Sequence, residues 1–201
     1  MNTTGAQSGQ VVSKIGRKTF VVERGLKVCL LSDSICRGVE DHINNIQAFV
    51  HPGTNLSRSL GQHVWHFDKI TGSMLVLINI GSNDIASGIR PQDLVDKMLA
   101  LINRIQDGHQ EPMYFAVCAV LPRPVDDLQK KNVVKECNAL LEHCFESWEN
   151  VAFLRTNSVF LSRGQIVQQL YGRDGLHLNM QGKQKLFGYI NRFLWHFCRH
   201  K

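Results

Sequence analysis

The sequence predicts a three-layer α/β/α sandwich built on a central parallel sheet. Two observations carry this. Several short runs are apolar at nearly every position, as in Lys27-Val28-Cys29-Leu30-Leu31 and Met74-Leu75-Val76-Leu77-Ile78. Continuous rather than alternating apolar character marks strands buried on both faces. Between these runs lie stretches whose apolar residues recur at helical spacing, so strand and helix alternate along the chain.

Taken in order, residues 1–18 are polar and aperiodic and read as a tail or linker, with residues 19–201 as one folded domain. Residues 19–23 add a short edge strand. Residues 27–31 form the first central strand, followed by a short helix from Cys36 to about Asn45. Residues 46–50 are a second strand ending in the turn signal His51-Pro52-Gly53. Leu56, Leu60, Val64, Phe67 and Ile70 share one face of a helix over residues 56–70. Residues 73–80 are the clearest buried strand. Residues 91–106 follow as a helix with Pro91 in its first turn. Residues 113–120 are another apolar strand, closed by Leu121-Pro122-Arg123-Pro124. Residues 125–148 form a long amphipathic helix, residues 151–154 a short strand and residues 179–197 the last helix, with a loop between the last two.

A chain of 201 residues is long enough to bury a proper core. Hydrophobic residues at 43% and charged residues at 20% exclude global disorder. No apolar run approaches the roughly 20 residues of a membrane helix, and residues 1–13 lack the apolar segment of a signal peptide. The expectation is a cytoplasmic protein without a transmembrane segment. The six cysteines show neither a CxxC pair nor a Cys/His ladder, so they read as free, largely buried thiols. The formal charge of +6 is scattered, with accents at Arg17-Lys18 and Arg199-His200-Lys201. Scattered basicity fits a weak association with nucleic acid or an anionic surface. His63 and His66 are three apart with no third ligand beside them and read as surface or half-buried residues. Trp65, Trp148 and Trp195 read as packing residues on helices. Arg37 is expected to pair with Asp33 or a nearby backbone carbonyl.

The chemistry gathers at the carboxyl ends of the strands, where open α/β sheets place their sites. Ser34 follows the first strand in Ser32-Asp33-Ser34, beside a helix N-terminus whose N–H groups can stabilise an oxyanion. Serine is equally a helix-capping type, and this stretch alone does not choose between cap and nucleophile. Gly53 follows the second strand, where a missing side chain lets a backbone N–H approach a ligand. Asn83 follows the third and offers an amide donor. Asp174 and His177 precede the last helix, three residues apart. Ester hydrolysis by serine needs a base, a group to orient that base, and donors aimed at the oxyanion. His177 can serve as base and Asp174 as its orienter. The N–H groups of Ser34 and Gly53, with the Asn83 amide, can serve as oxyanion donors.

Four blocks in this order resemble the SGNH/GDSL hydrolases: Ser32-Asp33-Ser34, Gly53, Gly81-Ser82-Asn83-Asp84 and Asp174-Gly175-Leu176-His177. The first departs from the family pattern by carrying Ser32 where glycine is usual. The resemblance implies a flavodoxin-like sheet and no metal or organic cofactor. It also implies hydrolysis of a small-molecule or lipid ester through an acyl-serine intermediate, with catalytic Ser34, Asp174 and His177. Residues 33–37, 80–85 and 174–179 are further similar to esterase domains in the first open reading frame of some animal LINE-type retrotransposons. Short loops around the site, with Ser57 and residues 121–125 as candidate walls, point to small acyl groups such as acetyl. The alternative implied by the Ser32 departure and the positive charge is a catalytically silent module of the same fold that binds lipid, membrane surface or nucleic acid.

Overall fold

A computed structural model describes residues 10–15, 18–23, 26–61 and 74–198. Its centre is a five-stranded parallel sheet of β3 (Lys27–Ser32), β4 (Ile46–Val50), β5 (Met74–Asn79), β6 (Met113–Cys118) and β7 (Val151–Leu154), in the spatial order β4-β3-β5-β6-β7. The predicted three-layer architecture holds, because β3 and β5 are apolar toward both faces. On one side Leu30, Leu75 and Leu77 pack against α5 (Met180–Cys198), through Leu186, Phe187 and Ile190. On the other side Leu31, Val76 and Ile78 meet α3 (Pro91–Asp107) and α4 (Leu128–Phe145), through residues such as Leu101 and Leu141.

The strand order is the flavodoxin-like one. The chain steps outward from β3 to β4, then returns past β3 to β5 and continues the other way. The direction of winding therefore reverses between β3 and β5, and a crevice opens at their carboxyl ends. Their register pairs Ser32 with Asn79, so the two strands end level with each other.

Several expectations change. The helix expected after Ser34 is two separate 3₁₀ turns, Ser34–Cys36 and Val39–Asp41. Gly38 stands between them with φ +83°, a left-handed conformation that stops a right-handed helix. Residues 19–23 do not edge the central sheet. Instead β1 (Gln10–Ile15) and β2 (Lys18–Glu23) pair antiparallel as their own two-stranded sheet, with Val11 opposite Val22 and Val12 opposite Val21. The polar N-terminal stretch thus contributes a strand, consistent with the β-branched residues it contains. Of the helix expected over residues 56–70, α1 (Leu56–Gly61) is observed; the remainder, with His63, Trp65 and His66, lies outside the described residues. The long helix begins at Leu128 rather than 125 because Asp127 caps it, accepting from the Lys130 N–H at 2.8 Å. The loop before α5 holds two 3₁₀ turns, Thr156–Phe160 and Gln168–Leu170, and a small hairpin, β8 (Leu161–Ser162) with β9 (Gln165–Ile166).

The buried free thiols are found at Cys29, Cys36, Cys118 and Cys137, with Cys144 half-buried. Burial pushes the Cys29 and Cys137 thiols up to about 12. Trp148 packs edge-on against Phe145, as expected. Trp195 does not pack into the core: it is 66% exposed with its ring edge-on to His196, because α5 turns Phe193, Leu194 and Phe197 inward instead.

Helix α5 approaches the 3₁₀ turn Gln168–Leu170 through Gly182. A Cβ there would run into the Leu170 carbonyl, which is backbone and cannot give way. In an open helix Gly→Ala gains about 1 kcal/mol. Here Gly182→Ala is expected to lose about 2 kcal/mol, the cost of overpacking. Urea unfolding reads the sign directly, and a more stable Gly182→Ala protein would contradict this close approach.

Candidate active site

At the end of β3 the chain turns on Asp33, which caps the first 3₁₀ turn. Its Oδ1 accepts from the Ile35 N–H at 2.9 Å, and its Oδ2 accepts from the Ser82 hydroxyl at 2.7 Å. Asp33 is buried, and burial raises its carboxyl above the usual range, with the two hydrogen bonds and the charges of Arg123 and His177 pulling the other way. The Asp33–Ser82 bond spans the crevice and ties the β3 end to the start of α2 (Ser82–Ala86). Ser34 emerges from this anchored turn half-buried.

The Ser32 departure is accommodated in the sheet interior. Its side chain is fully buried and its hydroxyl donates to the Asn79 carbonyl at 3.2 Å. The Asn79 amide in turn donates to Cys36 Sγ at 3.0 Å. Burial is the largest influence on the Cys36 thiol, pushed up to about 11. A small polar network thus underlies the Ser34 turn where glycine would have left space. Arg37 does not pair with Asp33. It is exposed, and its backbone carbonyl accepts from Lys183 Nζ at 2.9 Å, linking the first turn of α5 to the loop after Ser34.

The loops after β4 and β5 are joined by two contacts. The Asn83 amide donates to the Thr54 carbonyl at 2.8 Å, which uses one of its two N–H groups. Asp84, buried, accepts twice from the Leu56 N–H, at 3.2 and 3.0 Å, and so seats α1. Burial raises its carboxyl too. Gly81, at φ +136°, brings this turn against Val120; a Cβ would stand 3.0 Å from Val120 Cγ2. Gly53 has φ +71°, yet a Cβ there would meet nothing within 4 Å. The left-handed turn favours glycine at this position, and no protein atom among the described residues occupies the space a side chain would take. Among the described residues, the N–H groups of Ser34 and Gly53 donate to no protein acceptor.

Asp174 and His177 form a compact turn ahead of α5. Asp174 Oδ1 accepts from the backbone N–H groups of Leu176 (2.9 Å) and His177 (3.0 Å). Its Oδ2 accepts from His177 Nδ1 at 2.7 Å. A carboxylate accepts only, so Nδ1 carries the proton and Nε2 presents its lone pair. The His177 bond, followed by the two backbone bonds, holds the Asp174 carboxyl down to about 2. The turn is closed by the Gly172 N–H donating to the His177 carbonyl at 2.7 Å. Asn179 completes it, donating to the Gln169 and Tyr171 carbonyls and accepting from the Gly182 N–H at 3.0 Å.

Ser34 in its 3₁₀ turn, Gly53, Asn83 in the first turn of α2, Asp174 and His177 therefore all stand at one edge of the sheet. The His177 charge acts on Asp33, the neighbour of Ser34, although the Ser34 hydroxyl makes no hydrogen bond to a described residue. Ser57 Oγ accepts from Lys97 Nζ at 2.6 Å. Pro122 and Pro124 line a groove of about 260 Å³ shared with Leu128, Lys131 and Ile166, to which none of the five site residues contributes. Ser82, Asp84, Arg123 and Tyr171 were not singled out by sequence pattern. Ser82 and Asp84 flank Asn83 in the third block, which was their one signal. No helix among the described residues is long and apolar enough to cross a membrane.

A 2-1-3-4-5 parallel sheet carrying these four blocks at its switch point defines an α/β ester hydrolase of the SGNH type. Residues 33–185 match the GDSL-like Lipase/Acylhydrolase family, and the chain belongs to it. Solved structures share the fold at low identity. A carbohydrate esterase family 3 protein from Talaromyces cellulolyticus is 15% identical, over 84% of this chain and 96% of that one, with TM-score 0.64. An acetyl esterase variant with acetate ion is likewise 15% identical over 84% and 96%, with TM-score 0.66. A GDSL-like lipase from Bacteroides thetaiotaomicron is 15% identical over 82% and 85%, with TM-score 0.61. No curated protein matches the chain by sequence.

Two outcomes are expected. Ser82→Ala removes a charge-assisted bond to buried Asp33 and is expected to cost about 1.5–3 kcal/mol in urea unfolding at neutral pH; an unchanged midpoint would mean that Asp33 finds another donor. Asp174 is held below the roughly 3.9 of an unfolded aspartate. Its pairing therefore stabilises the fold fully above that value and is lost as pH falls through about 2. The hydrogen-bonded His177 Nδ1 proton should remain visible by NMR at pH 4.

Proposed function

We propose that this ester hydrolase works through Ser34, His177 and Asp174 as nucleophile, base and orienter. The observation that carries the reading is the 2.7 Å bond from His177 Nδ1 to Asp174, in a turn at the same sheet edge as Ser34. That bond directs the Nε2 lone pair outward as the base. Ser34 Oγ attacks the ester carbonyl carbon while Nε2 takes its proton. The carbonyl oxygen gains the charge, and the N–H groups of Ser34 and Gly53 with the free Asn83 N–H receive it. Collapse expels the alkoxide, which takes the proton from His177 and leaves an acyl-serine. Water, deprotonated by His177, releases the acid and restores Ser34.

We infer a small acyl group such as acetyl, supported by the short loops around Ser34 and by the acetyl esterase among the structures of similar fold. The alcohol side is a small-molecule or lipid ester. The likeness of residues 33–37, 80–85 and 174–179 to LINE-type first-open-reading-frame esterases supports an intracellular, ribonucleoprotein-associated setting, and the charge of +6 fits it. Salt-dependent binding to single-stranded RNA tests that setting; affinity unchanged between 50 and roughly 200 mM salt would remove it.

With p-nitrophenyl acetate, Ser34→Ala should fall to background; turnover equal to wild type would end the serine mechanism. Asn83→Ala should lower kcat on the order of 100-fold, as for other oxyanion donors. The pH profile of kcat reports which groups must change protonation for turnover. Asp174 adds no step above pH 4, since it is ionised down to about 2. Faster turnover of the octanoyl than of the acetyl ester would overturn the acyl preference.

A further inference from the structure

The loop joining β6 to α4 holds a feature that the reaction as described leaves unused. Arg123 and Asp126 are both buried, 4% and 6% exposed. They are joined by parallel bonds, Nε to Oδ2 at 2.9 Å and Nη2 to Oδ1 at 2.6 Å, and the Asp126 N–H donates to the Arg123 carbonyl at 3.2 Å. Burying two charges costs several kcal/mol per ion, on the order of what a well-packed apolar pair would avoid. Stability alone is therefore a poor reason for this pair, and its surroundings supply another.

Three contacts run from this loop to the segment that carries His177. The Tyr171 hydroxyl donates to the Pro122 carbonyl. The Val125 N–H donates to the Gly175 carbonyl at 3.2 Å. Gly175, at φ +64°, lies so close to the loop that a Cβ would stand 3.3 Å from Pro124 Cβ. Residues 122, 124 and 125 bracket Arg123 and precede Asp126, so the ion pair sets the shape of the loop that makes all three contacts. The need for a brace is plain: the Asp174 and His177 side chains are about half exposed (50% and 53%), and burial does little to hold them. The Arg123 charge also reaches Asp33 beside Ser34.

We propose that the Arg123–Asp126 ion pair, with Tyr171, is a positioning clamp: it holds the β6–α4 loop as a brace that orients the His177 imidazole toward Ser34. A displacement of about 1 Å at a base can cost on the order of 100-fold in rate, and this pair prevents it. The inference rests on the serine-esterase reading above.

The test compares wild type, the apolar replacement Arg123→Met/Asp126→Leu, and Tyr171→Phe. A clamp predicts that the double variant keeps the wild-type unfolding midpoint or exceeds it, while kcat on p-nitrophenyl acetate falls at least 10-fold with KM within twofold. Tyr171→Phe, which keeps the ring, should lower kcat by roughly 3–10-fold, again without moving KM. A folded double variant with kcat within twofold of wild type overturns the proposal. If the double variant does not fold, Tyr171→Phe within twofold overturns it. Both variants are also read without turnover, by NMR of ¹⁵N-labelled histidine in a Ser34→Ala background. The clamp predicts one sharp His177 tautomer with a hydrogen-bonded Nδ1 proton in the parent, and a broadened or mixed tautomer signal in the variants. If wild type shows no Ser34-dependent turnover, the serine-esterase reading fails by itself. The His177 spectra then decide the clamp alone, and identical spectra in parent and variants overturn it.

Discussion

The structure depends on one register. Parallel pairing of β3 with β5 sets Ser32 opposite Asn79, so both strands end at the same level where the winding of the sheet reverses. Both are apolar on both faces, and a slip by one residue would turn every side chain to the wrong layer. The register is thus held by burial along the strands. Its consequence appears at their ends, where Ser34 leaves one side of a crevice and Ser82 and Asn83 leave the other. The bond from Ser82 to buried Asp33 closes the base of that crevice.

Around this anchor the site divides into a dry scaffold and a half-wet rim. Asp33, Asp84 and Asn79 are buried, and each makes a side-chain bond to a segment distant in the chain. They position backbone rather than react. Asp174 and His177 are half exposed and drawn together mainly by bonds within one turn. Such a turn has the right internal geometry, but its placement over the sheet has to come from outside. Lys183 reaching the Arg37 carbonyl, Asn179 capping α5 and the loop around Arg123 supply it.

Proteins with only 15% identity to this chain share its fold. What such chains share is strand order and the crevice it creates, which tolerate wide change in the side chains that fill the layers. Ser32 shows how a local departure is absorbed. Its hydroxyl takes the neighbouring strand's carbonyl as acceptor and stays clear of the Ser34 side chain.

The sequence by itself determined which segments are interior strands and which loops carry chemistry. Uninterrupted apolar runs report burial on two faces, and Ser34, Asn83, Asp174 and His177 each stand where such a run, or the last helix, begins or ends. It did not disclose the sign of φ at Gly38, so two 3₁₀ turns resembled one helix. Nor did it distinguish Trp195, which α5 leaves outside, from the inward Phe193 and Phe197. The hairpin of β8 and β9 has two-residue strands, too short for any period to show. Only the tertiary structure decided which distant polar groups become partners: Asp33 with Ser82, and Tyr171 with Pro122, each pair 49 residues apart. Periodicity records how one segment faces its layer. Which distant segment lies across from it is settled by packing and by the need of each buried polar atom for a partner.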